Sequence, residues 1–323
     1  MNRLHDTLLI AFLNLTVVGT TLAADKPSYK IGLIAKSESN PVFIAARVGA
    51  EDAAKELSAK YNIDVTIVWR TPAEEDAQKQ ASFIEQLVVA GVDGLAISCS
   101  DASKVTPAIN KAVDRGILVA CFDSDAPASK RFVYHGIDDA ECGRAVMREM
   151  VAIVGASGGK IAILAGNQTA PNLQARVRGV KDELAKHPGF KLVDVYYHRE
   201  TAQDAAAKVQ EVQTANPDIV GWVMVGGWPL FSDALMSWSP GRVKIVAVDA
   251  LPAQLKYVEK GIVQSLLAQR VYYWGYRSVE LLVDKLHRNQ SPKTPRDMAE
   301  LDRVTKDNVL EYGKNWDKWL GKK

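Results

Sequence analysis

One short string occurs twice in this chain. Residues Lys30 to Ala35 read KIGLIA and residues Lys160 to Ala165 read KIAILA; at the same ungapped offset Pro41 meets Pro171 and Gly49 meets Gly179. A duplicated unit folds into two similar bodies, so the runs that follow each copy define both. In the first unit, strand-like runs at Tyr29–Ala35, Val65–Trp69, Leu95–Ser98 and Ile117–Phe122 alternate with helical stretches near Val42–Lys60, Ala73–Ala90 and Val105–Arg115. In the second, strands near Ile161–Ala165, Leu192–Tyr197, Ile219–Val225 and Val243–Val248 alternate with helices at Pro171–Lys186, Ala202–Ala215, Leu230–Trp238 and Pro252–Lys260. Pro41 stands where a first helical turn begins and Pro107 just inside another. Strands that are apolar on both faces and alternate with helices specify α/β units, each a parallel sheet covered by helices on both sides. One strand, Val263–Ala268, and one helix, Tyr273–Arg288, are left over.

A chain of 323 residues, 47% hydrophobic, has enough apolar content for two cores of ordinary size. Its net charge of +2 is spread along the chain, which excludes a phosphate-binding footprint and with it nucleic acid as a partner. Arg3, the mostly apolar stretch Leu8 to Val18, and the small residues to Ala24 have the order of a secretory signal peptide over residues 1–24, with cleavage after Ala23 or Ala24. No cysteine adjoins that point, so no lipid anchor is expected, and no later stretch is apolar enough to cross a bilayer. Cys99, Cys121 and Cys142 are too few for a disulfide scaffold; Cys99 and Cys121 fall near the ends of adjacent strands, and buried free thiols are the expectation.

Several patterns suggest chemistry and fail. Gly155-Ala156-Ser157-Gly158-Gly159 has the spacing of a nucleophile elbow, but a helix precedes it and a strand follows, the reverse of what that turn requires. The five histidines lack metal-ligand spacing, so no metal and no cofactor are expected. Asn167-Gln168-Thr169 follows a strand and is better placed as a binding loop than as a glycosylation site. Asp123, Asp125 and Asp249 could serve as an acid/base set for glycoside hydrolysis, yet no nucleophile is marked and the expectation is no enzyme.

What remains is binding. Open α/β sheets take ligands beyond the carboxyl ends of their strands. The apolar run Ile117 to Phe122 stops at Asp123 and the run Val243 to Val248 stops at Asp249, so each unit aims a carboxylate from a strand end. A cleft between two such ends, lined by acceptors, suits a polyhydroxylated ligand. Trp228, in the loop after Val225, offers an aromatic face for a sugar's C–H surface. Lys36 and Ser98 are weaker strand-end candidates, and Trp69, Trp222, Trp274, Trp316 and Trp319 are assigned to packing.

Together with Ser39-Asn40-Pro41-Val42-Phe43, Phe122-Asp123-Ser124-Asp125, Gln174 to Gly179 and Ala247-Val248-Asp249, these features resemble the periplasmic sugar-binding proteins of the ribose- and galactose-binding type, over essentially the whole mature chain. The resemblance implies the type I fold: two similar doubly wound parallel-sheet lobes joined by a three-strand hinge. An N-terminal lobe at 25–138 would be completed by 270–301, and a C-terminal lobe at 139–269 by 302–323. It also implies a monomer that captures a monosaccharide or polyol in the periplasm by hinge closure and delivers it to an ABC permease in the inner membrane.

The resemblance further implies ligand contacts from Asn40, Phe43, Asp123, Asn172, Arg176, Asp249 and Gln269. Aspartates would accept, Arg176 would donate, and the amides would do either. Removing Arg176 or Asp249 should then abolish binding and leave the fold intact. Where ribose binders carry arginine after the first aspartate this chain has Ser124, and where they carry asparagine after the second unit's third strand it has Gly226. Asp125 and Trp228 would replace those contacts, which points to a different sugar, a polyol or a furanose. Alternatives are a sensory binding protein serving a chemoreceptor or kinase, and a secreted glycosidase; a repressor of the same fold would carry a helix-turn-helix at the N-terminus.

Overall fold

The structure, a computed structural model, describes residues 26–320; the expected signal peptide lies outside the described residues. In the first half β1 (Ser28–Ile34), α1 (Pro41–Tyr61), β2 (Asp64–Trp69), α2 (Ala77–Val89), β3 (Gly94–Ile97), α3 (Ala102–Asp114), β4 (Leu118–Phe122) and β5 (Val133–Gly136) follow one another. The second half runs α4 (Asp139–Val154), β6 (Gly159–Ala165), α5 (Pro171–Leu184), β7 (Phe190–Tyr197), α6 (Ala202–Ala215), β8 (Ile219–Met224), a 3-10 turn at Trp228–Phe231, β9 (Lys244–Val248), α7 (Pro252–Glu259) and β10 (Ser265–Ala268). The closing segment is α8 (Val271–Arg288), β11 (Arg296–Met298), β12 (Asp302–Val304), α9 (Val309–Gly313) and α10 (Asn315–Trp319).

These strands form two six-stranded sheets of matching order, β11-β5-β4-β3-β1-β2 and β12-β10-β9-β8-β6-β7. All pairings are parallel except β10 with β12, which is antiparallel. The chain passes between the sheets after β5, again between β10 and α8, and a third time between β11 and β12. The leftover strand β10 belongs to the second sheet, and α8 packs on the first. The last residues touch both lobes: Trp316 Nε1 donates to the Ala250 carbonyl (2.8 Å), while Trp319 stacks near Tyr272 of α8 at 6.5 Å.

Glycines set the closest approach in each lobe. A methyl group at Gly49 of α1 would overlap the carbonyl of Tyr272, and one at Gly275 of α8 the carbonyl of Ala46. In the other lobe Gly179 of α5 faces the carbonyl of Ala140 and Gly143 of α4 that of Arg176 in the same way. Each lobe therefore rests on a reciprocal glycine crossing, backbone against backbone, which only hydrogen side chains permit.

Local differences from the sequence expectations have local causes. Helix α2 begins at Ala77 rather than Ala73, because the Asp76 carboxylate accepts from the N–H groups of Gln78 and Lys79 and fixes the start. Asp101 caps α3 from Ala102, which leaves Pro107 in the helix interior instead of its first turn. No α-helix forms at Leu230–Trp238. Tyr257 takes over its backbone there, donating to the Ser232 carbonyl and accepting from Leu235 N–H (3.2 Å). The glycine cluster after Val154 is a helix exit, with Gly155 at φ 89° and Gly158 at φ 67°. Cys99 and Cys121 are buried free thiols with sulfurs 4.0 Å apart, and the Cys99 thiol is held well above its ordinary range by that contact and by burial.

Candidate functional site

In a sheet ordered 2-1-3-4-5 the connections diverge from the first strand to opposite faces and leave a crevice beside it. Both sheets have that order, and their crevices face each other. Lys36 and Asn40 come from the loop after β1, Asp123 from the end of β4, and Asn172 and Arg176 from the first turns of α5; Trp228 follows β8, Asp249 follows β9, and Gln269 follows β10. With Phe43 these residues line one cavity of about 30 Å³ between the lobes. Asn40 serves twice, since its Oδ1 also accepts from Val42 N–H (3.3 Å) and caps α1.

The two aspartates are built alike. Asp123 has φ 56° and Asp249 φ 70°, a left-handed geometry that short polar side chains tolerate better than most and that turns each carboxylate off its strand end. Asp123 accepts from Ser98 Oγ (2.7 Å) and Asn172 Nδ2 (3.2 Å), with Lys36 Nζ at 3.8 Å. Asp249 accepts from Gln269 Nε2 (2.8 Å). Burial pushes the Asp249 carboxyl up to about 6, against the pull of Arg176. For Lys36 burial alone would lower the pKa, but Asp123, Glu200 and Glu75 outweigh it and the net direction is upward.

Arg176 is 2% exposed and its guanidinium is held on three sides. Nε donates to Asp139 Oδ1 (2.9 Å), and the two terminal nitrogens donate to the Val225 carbonyl (3.1 Å) and to Gln269 Oε1 (2.9 Å). Five N–H groups are available, so two remain for a ligand. The surrounding carboxylates raise the Arg176 pKa despite its burial, whereas burial lifts Asp139 to about 6. Gln269 bridges the two charges, accepting from Arg176 and donating to Asp249.

Asp125 is not brought into this group. It is clamped by Arg131, whose Nε and terminal nitrogen (2.7 Å) grip both carboxylate oxygens, and it lines no part of the cavity. Conversely, Trp274 lines the cavity although it was assigned to packing, and so does Glu200. Trp274 is invisible from its own neighbourhood because it reaches the site only after the chain has recrossed to the first lobe.

Hydrogen bonds tie the lobes together across the cleft. Lys36 Nζ donates to Asn172 Oδ1 (3.3 Å), Asn172 donates to Asp123, and Asn167 Nδ2 donates to Glu75 Oε1 (3.2 Å) at the mouth. Asn167 N–H also meets Glu200 Oε1 (3.2 Å), and Glu75 is pushed up to about 7 by burial and by Glu200. Small-molecule pockets hold roughly 300–1,000 Å³. The lobes therefore have to part for a ligand to enter, and the three crossing segments are where backbone rotation would do it.

Comparison with known proteins gives a consistent picture. The periplasmic binding protein domain matches residues 31–290. A D-ribose/D-allose-binding protein of Pseudomonas aeruginosa is 25% identical over 92% of this chain and 96% of its own length. A D-allose-binding periplasmic protein of Escherichia coli is 25% identical over 83% of this chain and 88% of its own. Among solved structures, an ABC transporter solute-binding protein from Burkholderia graminis in complex with D-arabinose superposes with a TM-score of 0.81 at 29% identity, covering 89% of this chain and 99% of that one.

Proposed function

This chain belongs to the periplasmic binding protein family, and from that premise we propose that it is the sugar-binding component of an ABC importer. It captures a monosaccharide or related polyol between the lobes, closes on it, and presents the closed form to a membrane permease. It acts in the periplasm as a monomer, exported by its N-terminal segment, and turns nothing over. The observation that carries this reading is the facing pair Asp123 and Asp249 with Arg176 between them, all buried and all lining one cavity.

Sugar hydroxyls both donate and accept, so buried groups that only accept, opposed by one that only donates, fix the direction of each hydroxyl. Hydrogen bonds to charged partners contribute about 1.5–3 kcal/mol each. A ligand missing one hydroxyl leaves such a group unpaired, and selectivity follows from that penalty. Asn40, Asn172 and Gln269 complete the polar wall, Lys36 adds a donor, and Phe43 packs against C–H surface.

A thermal-shift screen across D-ribose, D-allose, D-arabinose, D-xylose, D-galactose, xylitol and myo-inositol tests this. A ligand at 100 times its Kd adds about 2.7 kcal/mol to the folded state. At least one sugar is expected to raise the melting temperature. Release of chromophore from nitrophenyl glycosides would overturn the transport reading.

A further inference from the structure

Seven tryptophans occur in the chain, and they use their indole N–H groups in different ways. Trp69 donates to Glu38, Trp222 to Gln213 and Trp316 to the Ala250 carbonyl, at 2.8–2.9 Å. Trp228 and Trp274 are buried like Trp222 and Trp316, at 4% and 3% exposure, yet neither N–H has a partner among the described residues; buried Trp319 lacks one too but lines no part of the cleft cavity. Neither nitrogen is among the fully enclosed polar atoms that lack a partner, so each keeps access to open space. The space that both residues line is the cleft cavity.

Their mountings are rigid and lie on opposite lobes. Trp274 projects from the first turn of α8 with Phe43 at 6.1 Å and Phe122 at 6.4 Å, both tilted by less than 40°. Trp228 opens the 3-10 turn after β8, and its benzo ring occupies the space that side chains at Gly166 and Gly226 would need. His198 meets that ring edge-on at 5.0 Å. Gly166 and Gly226 lie just beyond β6 and β8, so one indole fills the space of two side chains on this wall of the cleft.

A buried indole usually finds an acceptor for its N–H, and its ring face packs on C–H surface. We infer that Trp274 is a ligand-binding residue, and that Trp274 and Trp228 each give an indole N–H and an apolar face to the same sugar from opposite lobes. This rests on the carbohydrate reading and narrows it. Two fixed walls reward a ligand whose C–H surface and acceptor oxygens are already held in place, so the site takes a ring sugar in preference to an acyclic polyol, whose chain would have to be ordered on binding.

The test uses the full mature chain and the tightest-binding sugar of the panel above, compared with its own alditol. The sugar is expected to bind at least about tenfold tighter than the alditol, and W274F and W228F each to lose about tenfold in affinity for the sugar. Wild-type protein labelled with ¹⁵N supplies a readout that needs no variant to fold. Saturating sugar should move the indole resonances of Trp228 and Trp274 and slow their hydrogen exchange, and leave those of Trp69, Trp222 and Trp316 in place. Packing alone is separated from donation by deoxy analogues: W228F should bind one of them as well as it binds the sugar itself, a preference wild type does not share. If a sugar binds while both resonances stay fixed, or binds no better than its alditol, this inference falls and the carbohydrate reading stands. If no panel member binds the folded protein, both fall.

Discussion

In the N-terminal lobe α1 crosses α8 with Gly49 and Gly275 at the contact; in the C-terminal lobe α5 crosses α4 with Gly179 and Gly143 there. The carbonyl against Gly275 belongs to Ala46, and the carbonyl against Gly143 belongs to Arg176. Ala46 and Arg176 thus hold the same place in the two copies of the repeat, one with a methyl group and the other with a buried guanidinium. By the same correspondence Val42 matches Asn172 and Phe43 matches Leu173. Duplication kept the frame of helix crossings, sheet order and left-handed aspartates. The first turn of the first helix became apolar and aromatic in one lobe and polar in the other.

The comparison breaks most sharply at Arg176. Replacing it with alanine makes the second lobe resemble the first at this position, but it also strands Asp139 and Asp249, which are both buried beside it. Removing one partner from a buried pair costs about 3–5 kcal/mol. Arg176→Ala is therefore expected to lose ligand binding and also to unfold several degrees earlier, which corrects the expectation of an intact fold. A melting curve matching wild type would show that the lobes tolerate the exchange.

The two glycine crossings offer a paired test of intermediate size. Gly49→Ala and Gly179→Ala each push a methyl into a backbone carbonyl, and overpacking of this kind costs about 1–3 kcal/mol. Urea denaturation should show similar losses for both. A neutral result for one and a large loss for the other would mean that the lobes are less alike in packing than in topology.

The smallest effect on binding concerns the aspartate that the site excludes. Asp125→Asn removes the charge from a mostly buried, doubly hydrogen-bonded pair with Arg131 and is expected to cost about 1–3 kcal/mol of stability, with sugar affinity unchanged. Calorimetry that found a tenfold weaker complex would return Asp125 to the cleft.

Much of this was written locally. Strand and helix alternation, the matching strand ends at Asp123 and Asp249, and the proline-started helices α1 and α5 all follow from residues within a few positions of each other, because burial periodicity and backbone caps act over that range. Short or weakly patterned elements were not legible: β5, β11 and β12 have three or four residues each and are defined by their pairing with other strands rather than by a pattern of their own. The Leu230–Trp238 stretch has helical spacing but loses its backbone groups to Tyr257.

The site divides along the same line. Sequence by itself determined a duplicated α/β frame and a facing pair of acceptors, since a carboxylate ending an apolar strand is costly to bury without a purpose. Tertiary structure alone decided that Arg131 takes Asp125 out of the cleft, that Asp139 of α4 and Gln269 after β10 hold Arg176 within the second lobe, and that Trp274 returns to face Trp228. Each of these depends on a partner delivered by a strand pairing, by a helix crossing or by the chain's return to the first lobe, and such contacts leave no periodic mark in the residues that make them.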